Sequence, residues 1–108
     1  MPELPKSYRR FTQEFPAVAQ ALDGLGAAAN ESGPLDGKTR QLVKLALAIG
    51  GRQQGAVISH THRALEAGAT PEEIKHVVVL AVTSVGFASA VAAYTWVNEA
   101  LSHAPQPA

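Results

Sequence analysis

The chain contains no cysteine. That excludes disulfide bridges and zinc sites built on thiolates, and it fits a reducing cytosol, so a cytoplasmic protein is expected. Charge of one sign is also missing, since nine basic residues balance nine acidic ones. No basic patch interleaved with aromatics is present, which argues against nucleic-acid binding. Hydrophobic residues make up 46% of the chain, but much of that share is alanine, which packs helices closely while adding little area. A core thin in Leu, Ile and Phe is expected to be completed by another subunit. The opening MPELPKSYRR has charges and two prolines with no apolar segment behind them, so no secretory signal is expected. One uncharged run does reach membrane-spanning length, Val77 to Val97. It is rich in Ala, Ser and Thr, is interrupted by Gly86 and lacks a flanking basic cluster, so a buried core or subunit interface is expected instead of a membrane span.

What is present reads as helix. At 108 residues the chain is expected to be one domain over 1–108, able to bury roughly two-thirds of its unfolded surface. Flexible ends are expected at about 1–6 and 103–108. A short helix is expected from Ser7 to Phe15, with Tyr8, Phe11 and Phe15 on one side. Pro16 suits the first turn of a helix to about Asn30, whose apolar stripe is Val18, Ala21, Leu22 and Leu25 and whose Gly24 and Gly26 weaken it. Asp36 is placed to cap a helix from Gly37 to Ile49. The second half of that helix is apolar all round, which predicts a central, buried position. Gly50-Gly51 is expected to end it. A helix from about Gln53 to Ala67 follows, packed antiparallel to it and stopped at Gly68. Thr70-Pro71-Glu72-Glu73 has the spacing of a capping box, with Pro at the first helical position. A break near Ser84-Val85-Gly86 separates that helix from a last one, about Ala88 to Ser102. The result is a compact all-α domain of about five to six helices.

Within the Gln53–Ala67 helix, Gln53, Ala56 or Val57, His60 and Ala64 recur at helical spacing. His62 lies about 200° around the helix from His60, so the two do not form a metal-binding pair, and no other convergent ligand set is readable. His62 and His76 are expected on exposed, charged faces. Gln41 and Lys44, three apart, share one side of their helix. His60 suits proton transfer near neutral pH. Arg52, whose fork matches a carboxylate, and Arg63, three residues from His60, are candidate cations for a substrate. Gln53 can hydrogen-bond a ligand, and Gln41 can orient a ligand or His60. The bland alternatives are a structural histidine satisfied by a carbonyl or water, solvated arginines and a plain glutamine surface. Trp96 and Tyr94 are expected in a core or interface.

The run Leu35-Asp36-Gly37-Lys38-Thr39-Arg40-Gln41-Leu42, the apolar segment to Ile49, the His60 helix and Glu66-Ala67-Gly68-Ala69-Thr70-Pro71-Glu72-Glu73-Ile74 resemble the carboxymuconolactone decarboxylase family, which includes the alkylhydroperoxidase D-like proteins. The resemblance covers roughly Phe15 to Leu101. It implies an all-helical fold and a homo-oligomer, commonly a trimer or hexamer. It implies no cofactor. In the peroxidase branch a Cys-x-x-Cys pair precedes the histidine; those positions correspond here to Gln53 and Ala56, and the glutamate that assists the thiols corresponds to Gln41. A self-contained thiol peroxidase is therefore excluded on chemistry. The decarboxylase branch also lacks the cysteines and has a Gly-Arg start like Gly51-Arg52, so it is the nearer relative.

Two functions follow from the resemblance. One is cofactor-independent decarboxylation, or a related acid/base step, on a small lactone or carboxylic acid, with His60 as proton carrier. The other is a non-catalytic binding or structural oligomer, suggested by the missing cysteines and by Gln41, an amide unable to do a glutamate's acid/base work. The surroundings of His60 discriminate between them.

Overall fold

Six α-helices and no strand are found in the computed structural model, which describes residues 6–103. They are α1 (Lys6–Glu14), α2 (Pro16–Glu31), α3 (Gly37–Gly50), α4 (Gln54–Glu66), α5 (Pro71–Val85) and α6 (Phe87–His103). The helix count and all five breaks agree with the expectation. Lys6 and His103 belong to helices rather than to loose ends; the remaining residues of the expected flexible ends, 1–5 and 104–108, lie outside the described residues. Two compact units separate, one holding α1 and α2 up to Leu35 and the other α3 to α6 from Asp36.

In the first unit, Phe15 links the helices at φ −128° and ψ 67°, outside the helical range, and Pro16 opens α2. The Phe11 and Phe15 rings pack at 5.3 Å between centroids. No residue of α1 or α2 is fully buried. The stripe expected of α2 exists in register, yet Val18, Leu22 and Leu25 stay exposed.

In the second unit the helices are arranged around a ring in the order α3, α4, α6, α5. Lys38 on α3 pairs with Glu73 on α5 at 3.0 Å, and at the other end Gly50 approaches Val85. The two helices therefore run parallel. Arg52, just before α4, reaches Ser89 on α6, and His62 reaches Ala100, so α4 and α6 are parallel too. α3 and α4 run antiparallel. Leu45, Ile49, Val57, Ile74 and Val97 fill the middle, with alanines 64, 93 and 100 letting the helices approach. Trp96 packs against this core as expected, whereas Tyr94 faces outward.

The caps hold the ends. The Asp36 carboxylate accepts from Thr39 N–H, and Thr70 and Glu73 form the full reciprocal box. Gly68 (φ 99°) ends α4, with Ala69 N–H reaching Ala64 O and Gly68 N–H reaching Leu65 O. Gly86, at φ 100° and ψ 156°, occupies backbone space open essentially to glycine alone and splits the long uncharged run. No helix among the described residues is long and apolar enough to cross a membrane.

One expectation about this unit is corrected. The second half of α3 is not buried all round: Leu45, Ala48 and Ile49 are, but Leu47 is 70% exposed and Val43 and Ala46 also face out. A helix at the corner of a four-helix arrangement offers only one face to the middle. The helix does end at Gly50-Gly51 as expected, although neither glycine takes a left-handed conformation. Arg52 does, at φ 52°. Its N–H bonds Ile49 O and Gln53 N–H bonds Ala48 O, each at 3.0 Å, the pattern of a Schellman end with arginine where glycine is usual.

Candidate functional site around His60

The inward face of α4 is set by Val57, Thr61 and Ala64, all fully buried. Thr61 satisfies its hydroxyl by donating to Val57 O at 2.8 Å. His60 sits one position around from this stripe and is half-buried, facing α3. There its Nδ1 lies 2.9 Å from Gln41 Oε1. A carbonyl oxygen only accepts, so Nδ1 carries the proton and Nε2 keeps its lone pair. Burial and, after it, the positive charges of Arg63 and Lys44 lower the proton affinity of His60 below its ordinary value of about 6.5. The imidazole thus favours the neutral form, oriented through Nδ1 with Nε2 unprotonated.

The other sequence candidates fall in different places. Gln41 is brought directly to His60. Arg63 is exposed but close enough to act on the imidazole electrostatically. Arg52 is exposed at the far end of α4, with Nη1 3.5 Å from Ser89 Oγ. Gln53 precedes α4 without capping it and folds its side chain over Gly51. The shared stripe expected of Gln53, His60 and Ala64 is therefore split, because the buried face centres on Thr61.

His62 corrects a further expectation. It is half-buried, with Nε2 3.0 Å from Ala100 O. It donates to the carbonyl of Ala100, in the last turn of α6. His76 is exposed, as anticipated. Lys44 was legible only as a neighbour of Gln41 by spacing. Its effect on His60 depends on the α3–α4 register, and Ser89 gave no signal at all. Among the described residues no three His, Asp or Glu side chains converge as a metal site. A separate apolar groove of about 280 Å³ lies between α3 and α5, lined by Leu42, Val43 and Ala46 on one side and Val77, Leu80 and Val85 on the other.

The family model for the carboxymuconolactone decarboxylase family matches residues 16–99. An uncharacterised protein of Haemophilus influenzae is 39% identical over 59 residues, 55% of this chain and 52% of its own length. One from Cupriavidus necator is 30% identical over 78 residues, 72% of this chain and 69% of its own length. The chain thus aligns with about half of the first relative and about two-thirds of the second. Among solved structures, the apo form of a carboxymuconolactone decarboxylase family protein from Legionella pneumophila superposes with a TM-score of 0.78 at 26% identity, covering 92% of this chain and 88% of that one.

Proposed function

The chain belongs to the carboxymuconolactone decarboxylase family, and from that premise we propose that it is a cofactor-independent decarboxylase, or a related acid/base enzyme, acting on a small lactone or carboxylic acid. The observation that supports this most is His60: half-buried, neutral, held through Nδ1–H by Gln41 and flanked by cations. In decarboxylation the carboxylate leaves as carbon dioxide, and the bonding pair stays on carbon in conjugation with the lactone carbonyl. That carbon must then gain a proton. His60 delivers it from Nε2 as the imidazolium, which returns the neutral imidazole.

The empty site favours the neutral ring. An anionic substrate beside Arg63 would offset the cations and favour the imidazolium, so loading of the proton accompanies binding. Gln41 fixes the ring's orientation but exchanges no proton. Arg63 holds the substrate carboxylate, and Arg52 and Gln53 are assigned to its far end, next to Ser89. With no thiol in the chain, peroxide reduction by a cysteine pair has no part in this proposal.

Turnover of carboxymuconolactone by purified protein tests the reading, with His60→Ala in parallel. Loss of roughly 10²–10⁴-fold is expected on removing a proton-transfer group; unchanged turnover in the variant would remove His60 from the role. A second reading, a non-catalytic oligomer, draws on Gln41 in place of an ionisable partner and on Arg52 lying against Ser89. Absence of turnover with intact folding favours it.

A further inference from the structure

The His60 ring rests in one protonation form, and that form fixes what it does first. Its Nδ1 stands 2.9 Å from Gln41 Oε1. An amide oxygen only accepts, so the single ring proton is on Nδ1 and the lone pair is on Nε2. Among the described residues, Gln41 alone is hydrogen-bonded to the ring. Nε2 is not one of the buried polar atoms left without a partner, so it keeps surface at the edge of the half-buried ring. Gln41 takes up no proton in exchange, because it is an amide. The resting site is therefore a base of one nitrogen with no proton relay behind it. Burial, the largest cause lowering its proton affinity, keeps it so. Such a base suits a step that begins by removing a proton from carbon. The protonation that follows loss of carbon dioxide instead needs the ring charged beforehand.

We propose that this site also isomerises unsaturated lactones by proton transfer: Nε2 of His60 takes a proton from the ring carbon beside the lactone carbonyl and returns it two ring atoms along, with no loss of carbon dioxide. The inference rests on the proposed function in placing a lactone at His60. For a β,γ-unsaturated γ-lactone the balance closes within substrate and imidazole. The C3–H bond breaks, its electron pair enters the ring as a furanolate, and the proton goes to Nε2. The imidazolium then gives a proton to C5, a C5–H bond forms, and the double bond moves from C4–C5 to C3–C4. No oxidant, reductant or second catalytic group takes part. Because one nitrogen makes both transfers, both occur on the same face of the lactone. Gln41 is a positioning residue, which holds Nε2 in its basic form without touching a reacting atom.

α-Angelica lactone, which has no carboxylate to lose, is the probe. Its conversion to the β isomer is followed by NMR with the full-length protein, against the rate in buffer alone. Saturable conversion is expected, falling about 10²–10⁴-fold in His60→Ala. Added imidazole is expected to restore part of that loss. Gln41→Leu lets the ring carry its proton on either nitrogen. Its kcat is expected to fall severalfold with KM little changed, and its His60 ¹⁵N signals to move from the Nδ1–H pattern of the parent to that of a tautomer mixture. A merely structural glutamine would leave those signals in place. Circular dichroism confirms that each variant is folded. Conversion by the parent no faster than by His60→Ala, or an Nε2–H ring in the free parent, would overturn the proposal. If angelica lactone is isomerised while carboxymuconolactone releases no carbon dioxide, the isomerisation stands and the decarboxylation alone falls. If carbon dioxide is released at a rate that depends on His60 while angelica lactone is unchanged, the isomerisation falls and the decarboxylation remains.

Discussion

At the residue scale, Gln41 decides which state His60 rests in. An amide oxygen 2.9 Å from Nδ1 orients the ring without carrying charge, so burial, Arg63 and Lys44 are left to hold the ring neutral. Gln41→Glu places a carboxylate there. We expect it to raise the proton affinity of His60, read as an upward shift of its NMR titration midpoint. The sign for stability follows from the same lowering. The unfolded chain binds a proton at His60 more readily than the folded one, so the folded state is favoured fully above about pH 6.5 and loses this contribution as pH falls through the lower folded value. Gln41→Glu should weaken or reverse that dependence.

Arg52 makes a second residue-scale case. It holds a left-handed backbone, which disfavours a side chain by about 1–2 kcal/mol. Arg52→Gly is expected to stabilise the protein by about 1 kcal/mol in chemical denaturation while weakening substrate capture, whereas a purely structural arginine would give the first effect without the second. The arginine itself was legible as a candidate cation. Its conformation was not, because the adjacent Gly50-Gly51 pair offers a cheaper left-handed position and only the packing of α3 against α4 selects the next residue.

At the scale of elements, the caps were the most legible part of the chain, because each is a local pattern of side chain and backbone. Asp36, Thr70, Glu73, Gly68 and Gly86 all act where their spacing put them. Thr70→Ala is expected to lower stability by about 1 kcal/mol, measured by urea denaturation. It removes the hydroxyl that accepts from Glu73 N–H, while the backbone N–H of residue 70 still donates to the Glu73 carboxylate. The carboxyls of Asp36 and Glu73 are held below their ordinary range, chiefly by backbone N–H groups of Thr39 and Thr70. Their stabilisation is present above about pH 4 and fades as pH drops through the lowered folded values. Because the backbone N–H of residue 70 survives the substitution, the acid sensitivity of Thr70→Ala should stay close to that of the parent. Rotation about a helix axis was less legible than its ends. In α4 the buried stripe runs through Thr61, a polar residue, because its hydroxyl is satisfied by Val57 O. That choice turns His60 to the edge and separates it from Gln53.

At the scale of the molecule, the four-helix unit buries one face of each helix and leaves Leu47, Val79, Leu80, Phe87 and Val91 exposed, while α1 and α2 bury nothing completely. Apolar patterning reveals which residues want burial but not whether the partner lies in the same chain, which is why α3 read as central. These outward residues support the homo-oligomer we propose. Light scattering is expected to give more than one subunit, and Leu47→Lys, which puts a charge on the most exposed leucine of α3, is expected to shift the distribution towards monomer. The central claim concerns the reaction, and it is tested most directly by the rate of carboxymuconolactone decarboxylation in the parent and in His60→Ala, both verified as folded. The account predicts carbon dioxide release by the parent and a loss of at least about a hundredfold in the variant. Equal rates in the two proteins would contradict it.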